Sequence, residues 1–100
     1  KLALSKKDYA EVYFCANDSI AFGALRAIHE KGLKIPEEIA IFGFNDSPNS
    51  AYTYPPLSTV HVHTEFMGEQ ALYSLIERLE GRTIALKKIV PTNIVKRMSF

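Results

Sequence analysis

Two short apolar runs in this chain each end in paired amide and carboxylate residues. One run, Val-Tyr-Phe-Cys, precedes Asn17 and Asp18, and the other, Ile-Ala-Ile-Phe-Gly-Phe, precedes Asn45 and Asp46. Short runs rich in β-branched and aromatic residues are typical of buried strands. We therefore predict strands at residues 11–16 and 39–44. Because ligands of open α/β sheets bind at the carboxyl ends of strands, the two polar pairs predict a small-molecule pocket there.

The segment between these strands has the spacing of an amphipathic helix that ends near Lys31. Its predicted buried stripe consists of Ile20, Ala24, Leu25, Ala27 and Ile28. Asn17 or Asp18 can cap the first turn, and Asp18 is the cap that we expect. Gly32 stands where a helix commonly ends in a left-handed residue. Such a strand–helix–strand unit crosses over right-handed and makes its strands parallel.

The rest of the chain is predicted to continue the mixed α/β pattern. It holds a loop at 47–57 with one helical turn, a half-buried strand at 58–63, a helix at 65–80, and strands at 88–90 and 93–97. The helix has one apolar face, formed by Gly68, Leu72, Leu75, Ile76 and Leu79. Gly81 is expected to end this helix, and residues 1–9 are expected to be the last turns of an upstream helix.

Composition and motifs argue against several classes of function for this chain. The 100 residues include 12 basic and 11 acidic side chains, a net charge of +1, and basic residues never cluster beyond pairs, so this chain has no nucleic-acid footprint. The single cysteine, Cys15, excludes an internal disulfide, and no apolar run approaches the ~18 residues of a membrane span. There is no phosphate loop, nucleophile elbow or metal-ligand spacing. We therefore predict no catalytic residue, metal or cofactor, and no enzyme activity.

Seven segments stand in register along nearly the whole chain and together suggest a family. They are Ala-Asn-Asp-Ser-Ile-Ala-Phe-Gly-Ala-Leu at 16–25, Gly-Leu-Lys-Ile-Pro-Glu-Glu at 32–38, Gly-Phe-Asn-Asp at 43–46, Pro-Pro-Leu-Ser-Thr-Val at 55–60, Met-Gly at 67–68, Arg-Leu-Glu-Gly at 78–81 and Pro-Thr with Val-Lys-Arg at 91–97. This set resembles the LacI/GalR family of bacterial transcriptional regulators, in the carboxyl-terminal part of the sugar-binding core. Within that family it looks most like galactose- and lactose-operon repressors of Gram-positive bacteria.

The resemblance implies an α/β fold, the parallel-sheet sandwich of periplasmic-binding-protein-like (type I) proteins, present here as a carboxyl-terminal fragment. Two lobes of that fold enclose an effector cleft. On this basis residues 1–63 would belong to the carboxyl-terminal lobe and end in a hinge-crossing strand. Residues 64–90 would be a helix and strand of the amino-terminal lobe, and residues 91–100 a returning terminal strand. Without the rest of the amino-terminal lobe, the helix would expose its apolar face.

Four residues are candidates for effector binding by the same resemblance. Asn17 and Asn45 match family positions that hydrogen-bond sugar hydroxyls. Helix capping is the alternative role for Asn17, and many family members have Asp at the position of Asn45, although an amide can also serve two hydroxyls. His63 and Thr64 are expected to line the cleft, the alternative being that His61 and His63 form a polar pair facing the hinge.

The remaining candidates concern packing and assembly. The resemblance assigns a dimer interface between carboxyl-terminal lobes to Phe22, Asn49, Tyr52 and Thr53. Stacking of Phe44, Tyr52 and Tyr54 on a sugar ring is an alternative use of the aromatic residues. Asp46 is expected to hold its loop rather than contact ligand, and Cys15 is expected to be inert core.

The function that follows is the effector-binding and dimerisation region of a cytoplasmic LacI-type repressor. The implied partners are a small sugar such as a galactoside, a second copy of the protein, and operator DNA bound through an upstream domain that this chain lacks. No membrane partner is expected. The alternatives are a periplasmic sugar-binding protein without DNA binding and a small flavodoxin-like enzyme, for which the residues offer no nucleophile or acid–base set.

Overall fold

Short strands and two long helices alternate along the chain. The computed structural model describes residues 9–100, so the predicted upstream helix lies, apart from Tyr9, outside the described residues. The elements are β1 Val12–Phe14, α1 Asp18–Glu30, β2 Ala40–Phe42, a 3₁₀ helix Pro48–Tyr52, β3 Thr59–His61, α2 Thr64–Leu79 and β4 Asn93–Val95. By internal contacts they form two compact units. The first unit runs to His61 and includes Asn93–Phe100, and the second unit is Val62–Thr92.

The first unit contains the sheet. β1 and β2 pair in parallel, with Val12 opposite Ala40 and Phe14 opposite Phe42, as the strand–helix–strand pattern predicts. Parallel bridges from Phe42 to Ser58 and from Asn45 to His61 continue the sheet to β3. β4 then adds to β3 in the antiparallel direction. The carboxyl ends of β1, β2 and β3 therefore face the same edge.

One face of α1 supplies much of the core. The apolar cluster consists of Cys15, Ala21, Leu25, Ala27, Ile28, Ile35, Ile39, Ile41 and Leu57. Ile20, which the periodicity placed in the buried stripe, is 53% exposed, and Ala21 is buried in its place. The reason is that Asp18 is itself buried and sets the inward line, which continues three and seven residues later at Ala21 and Leu25.

Both helices end as their glycines predict. Gly32 has a φ of +78°, and Leu33 N donates to Ile28 O at the end of α1. Gly81 has a φ of +119°, and Arg82 N donates to Glu77 O at the end of α2. This pattern is the Schellman motif, which satisfies the last carbonyls of a helix.

The terminal segment completes the first unit by hydrogen bonding. Buried Ser99 donates from Oγ to Ile41 O at 2.7 Å and accepts from Ser58 N at 2.7 Å. Ile41 N in turn donates to Ser99 O at 2.8 Å. One serine thus joins β2 to the start of β3 and anchors the end of the chain.

The second unit consists of α2 and a segment without regular secondary structure. No residue of α2 is buried. The predicted strand at 88–90 is wrong, because a strand needs a partner for its backbone groups and no described segment pairs with it. Within residues 9–100, neither helix is long and apolar enough to span a bilayer.

Candidate functional site

The two polar pairs meet at the carboxyl edge of the sheet. Cys15 N donates to Phe42 O at 2.7 Å, and Asp18 N donates to Phe44 O at 3.0 Å. The segments that follow β1 and β2 therefore stay hydrogen-bonded to each other as far as the first turn of α1. This arrangement brings Asn17 and Asn45, the two asparagines predicted to contact a ligand, to the same edge.

Asn17 is the residue that caps α1, and the prediction that Asp18 would do so is wrong. Asn17 Oδ1 accepts a hydrogen bond from Ile20 N at 2.8 Å, which satisfies one of the amides that a helix leaves unpaired at its first turn. Within residues 9–100, the Asn17 Nδ2 group has no hydrogen-bond partner. Capping and ligand contact are therefore compatible, because they use different atoms of one side chain.

Asp18 is a buried structural carboxylate. Its side chain accepts from Thr59 Oγ1 at 2.8 Å and from Ser47 N at 2.6 Å, and the residue is 2% exposed. The first turn of a helix also favours negative charge. Gly43 leaves room for the Asp18 carboxylate, since a Cβ at this glycine would overlap Asp18 Oδ1 and press on Leu57. Asp18 thus ties the start of α1 to β3 and to the turn after β2.

Asn45 and Asp46 form a strained turn. Their φ angles are +107° and +53°, in the region that favours glycine. A non-glycine residue held there typically costs ~1–3 kcal/mol and persists only where its surroundings hold it. Three backbone amides hold this turn: Asn45 N donates to Val60 O at 2.9 Å, Asp46 N to Thr59 Oγ1 at 3.2 Å, and Ser47 N to Asp18. The Asn45 residue is exposed at the edge.

The Asp46 side chain is saturated by its neighbours. Oδ1 accepts from Ser50 Oγ at 2.9 Å and from Arg97 Nη2 at 3.0 Å, and Oδ2 lies 2.9 Å from His61 Nδ1. Burial acts to raise the pKa of Asp46, but the hydrogen bonds from Arg97, Ser50 and His61 and the charge of Arg97 outweigh it and lower the pKa below its ordinary value. These contacts agree with the predicted role of Asp46 in holding the loop.

Arg97 is the site residue that sequence reasoning missed. Its guanidinium reaches Asp46 from the segment after β4 and also donates from Nη1 to Ser50 Oγ at 3.0 Å and to Leu57 O at 2.9 Å. Arginine is rarely sheltered without a partner, so an arginine at the end of a predicted strand was the available signal. That signal predicts a partner but does not say which one.

His63 and Thr64 lie in the second unit, at the start of α2. His63 is half-buried and occupies the N-cap position without a side-chain capping bond, and Thr64 is the first helical residue. Their proposed place in the cleft stays a prediction.

The residues predicted for a dimer interface lie on α1 and in the segment from the 3₁₀ helix to Thr53. Phe22 and Thr53 help line an open groove of about 430 Å³, together with His29 and Tyr54. Tyr54 packs its ring against His29 at 6.1 Å between centroids, and its carbonyl oxygen lies 2.6 Å from His29 Nε2. Asn49 and Tyr52 are exposed on the 3₁₀ helix. The interface itself stays a prediction.

The part of the chain that the structure describes holds no group of three or more His, Cys, Asp or Glu residues able to bind a metal. Cys15 is buried, as predicted. Burial, with a smaller contribution from the charge of Asp18, raises the pKa of the Cys15 thiol above its ordinary value. The reactive thiolate is therefore disfavoured at this position.

Comparison with known proteins identifies the family. The sequence profile of the periplasmic binding protein-like domain matches residues 10–100. The chain is also 45% identical to the lactose operon repressor of Rhizobium radiobacter, over 84% of this chain and 74% of that relative. The chain belongs to this domain family, among the LacI/GalR repressors. The predicted α/β periplasmic-binding-protein-like fold is confirmed.

Other LacI/GalR proteins show how much of a whole repressor the chain spans. It is 39% identical to the transcriptional repressor MelR of Bacillus subtilis, over 99% of this chain but 29% of MelR. The crystal structure of the lac repressor dimer bound to operator and the anti-inducer ONPF superposes with a TM-score of 0.92 and 28% identity, over 98% of this chain and 34% of that one. These relatives are transcriptional repressors rather than enzymes.

Proposed function

We propose that this chain is the effector-binding and dimerisation region of a LacI-type transcriptional repressor. A small sugar binds in the cleft between two lobes and changes the affinity of the dimer for operator DNA. The observation that carries the proposal is the meeting of Asn17 and Asn45 at the carboxyl edge of the sheet, where the Asn17 Nδ2 group and the exposed Asn45 side chain can serve a ligand.

The charge distribution at this edge favours a neutral polyol. The Asp18 and Asp46 side chains are both occupied by protein donors, so they offer a ligand little charge. Amides both donate and accept, which suits the hydroxyls of a sugar ring. We also assign His63 and Thr64 to the proposed cleft. The same saturation of the carboxylates argues against a general acid–base pair.

The family supports the remaining parts of the proposal. The relatives named above are repressors, and one structure is a dimer bound to operator. We infer that operator DNA is bound through a domain outside this chain, that Phe22, Asn49, Tyr52 and Thr53 contribute to a homodimer, and that the protein acts in the cytoplasm. A periplasmic sugar receptor shares the fold, but the repressor relatives do not favour that alternative.

The test is sugar binding by the natural gene product that carries this sequence. Calorimetric titration with galactose, lactose and melibiose is expected to find a ligand, because the relatives include a lactose operon repressor. Asn45→Ala is expected to weaken binding about tenfold, since loss of a ligand hydrogen bond costs ~1–3 kcal/mol. Glu37→Ala, in the exposed turn before β2, serves as the control and should bind as the parent does.

A second pair of variants separates the two functions of Asn17. Asn17→Asp keeps an oxygen for the helix cap but replaces the Nδ2 donor, so it should weaken sugar binding with little loss of stability. Asn17→Ser also keeps a capping oxygen and should behave in the same way. Unchanged affinity in Asn45→Ala and Asn17→Asp, or no binding of any of the three sugars at millimolar concentration, would refute the proposed site.

A further inference from the structure

We propose that Arg97 is a positioning residue for the effector site: it holds Asp46 and thereby fixes the strained turn that presents Asn45. The inference rests on the proposed function and adds the residue that sets the geometry of the site. It is based on the contact between Arg97 and Asp46, which are 51 residues apart in the sequence.

The Arg97 guanidinium donates three hydrogen bonds, one of them to the turn itself. Nη2 donates to Asp46 Oδ1, while Nη1 donates to Ser50 Oγ and to Leu57 O. The Arg97 and Asp46 side chains are 20% and 17% exposed, so water screens the pair only in part. A planar guanidinium fixes several acceptors at once, which the single ammonium of lysine cannot do in the same geometry.

The backbone at Arg97 is itself held in place by hydrogen bonds. Its backbone N donates to Ser58 Oγ at 2.7 Å, and two residues later Ser99 is buried and bound to β2 and to Ser58 N. These bonds do not use the guanidinium. Shortening the Arg97 side chain should therefore leave the terminal segment in place and remove only the contacts to the turn.

Loss of the guanidinium contacts should allow the turn to relax. Asn45 and Asp46 both have positive φ angles, so their backbone would relax if the surroundings allowed it. Ser50 and His61 would still hold the Asp46 side chain, and the three backbone hydrogen bonds would still restrain the turn, but none of these donors carries the permanent charge of Arg97. A small rotation at Asn45 displaces its amide from the edge, because this side chain has no protein hydrogen bond of its own among the described residues.

The experiment measures sugar affinity in the natural gene product, with whichever of galactose, lactose and melibiose binds the parent. Arg97→Met is expected to weaken binding five- to tenfold, roughly the loss of one ligand hydrogen bond. Arg97→Lys should recover part of the affinity. Lys96→Met removes the same charge from the exposed neighbouring residue and should leave the affinity unchanged. Ile28→Val lowers core stability away from the turn and should also leave it unchanged.

A double-mutant cycle decides between positioning and general stability. In an Asn45→Ala background, Arg97→Met should weaken binding by less than about twofold further, since the group it positions is gone. Amide hydrogen exchange at Asp46 and Ser47 should speed up in Arg97→Met but not in Lys96→Met, with or without ligand.

The outcomes separate the two claims. If Asn45→Ala weakens binding while Arg97→Met leaves it unchanged or acts additively, the positioning role is overturned and the proposed function stands. If Asn45→Ala changes nothing, the proposed function and this inference both fall. If no tested sugar binds, unchanged exchange at Asp46 and Ser47 in Arg97→Met still refutes the hold on the turn.

Discussion

The two long helices of this protein have similar sequence patterns and opposite surroundings. α1 buries five of its thirteen residues, whereas none of the sixteen residues of α2 is buried. Both helices nevertheless end in a glycine with positive φ and the same pattern of terminal hydrogen bonds. Helix formation and helix ends are therefore local properties here, while burial depends on what the rest of the chain supplies.

Ten large apolar residues of α2 and the segment after it are exposed. They are Phe66, Met67, Leu72, Tyr73, Leu75, Ile76, Leu79, Ile84, Leu86 and Ile89. When many large apolar side chains are exposed on a monomer, they usually mark an interaction surface or an aggregation site. The family resemblance implies that the amino-terminal lobe would cover these residues in the whole protein. The first unit has its own core, and the second unit is expected to need a partner surface.

The largest expected effect of this difference is on assembly. We expect the 100-residue chain by itself to adopt a non-native packing, or to form a swapped dimer or a larger oligomer, through the apolar face of α2. Leu72→Lys places a charge on that face and should shift the population toward monomer, measured by light scattering with size-exclusion chromatography. A stable, monodisperse monomer of the unaltered chain would show that α2 needs no cover.

A matched pair of leucines tests the two units at the level of single side chains. Leu57 is 0% exposed and Leu79 is 79% exposed. In the Leu72→Lys background, Leu57→Ala is expected to lower the free energy of unfolding by about 2–5 kcal/mol, whereas Leu79→Ala should change it by less than about 0.5 kcal/mol. Urea denaturation followed by circular dichroism measures both. Equal losses would contradict the exposure of α2.

A matched pair of glycines should give changes of opposite sign. Gly43→Ala forces a methyl group against Asp18 and Leu57, so we expect a loss of about 1–3 kcal/mol in unfolding free energy. Gly68 lies inside α2, and a methyl group added there would meet open space, so Gly68→Ala should raise the helicity of α2 and stabilise it by about 0.5–1 kcal/mol. Thermal melts of the two variants in the same background check the signs.

The smallest expected effect is the acid dependence of the first unit. Because the pKa of Asp46 is lowered in the folded state, its contribution to stability is present above the ordinary value of 3.8 and is lost as the pH falls through the lowered pKa. Asp46→Asn should therefore be less stable than the parent at neutral pH, by about 1 kcal/mol or less, and the gap should close in acid. Leu79→Ala, an uncharged change in the other unit, should follow the pH curve of the parent.

Several features of the fold follow from local patterns that the sequence displays. The two parallel strands, both helices within a residue or so, the glycine ends and one helical turn in the loop at 47–57 were predictable, because each depends on neighbours a few residues away. The predicted burial of β1 is wrong, because Val12 and Phe14 are exposed. The family resemblance added the domain type, which the comparisons confirm. The strand at 88–90 is mispredicted because apolar character alone does not say whether a pairing strand is present. Ile20 is mispredicted because the burial of Asp18 sets the inward line of α1.

At the candidate site, the sequence by itself determined that Asn17 and Asn45 follow two strands and are candidates for ligand contact. Only the tertiary structure decided that Asp18 binds Ser47 and Thr59 instead of capping α1, and that Asp46 is occupied by donors that include Arg97. The physical reason is sequence distance: Arg97 lies 51 residues from Asp46, and Ser99 lies 58 residues from Ile41. A hydrogen bond or ion pair between such residues depends on how the sheet brings strand ends together, and no local periodicity encodes that.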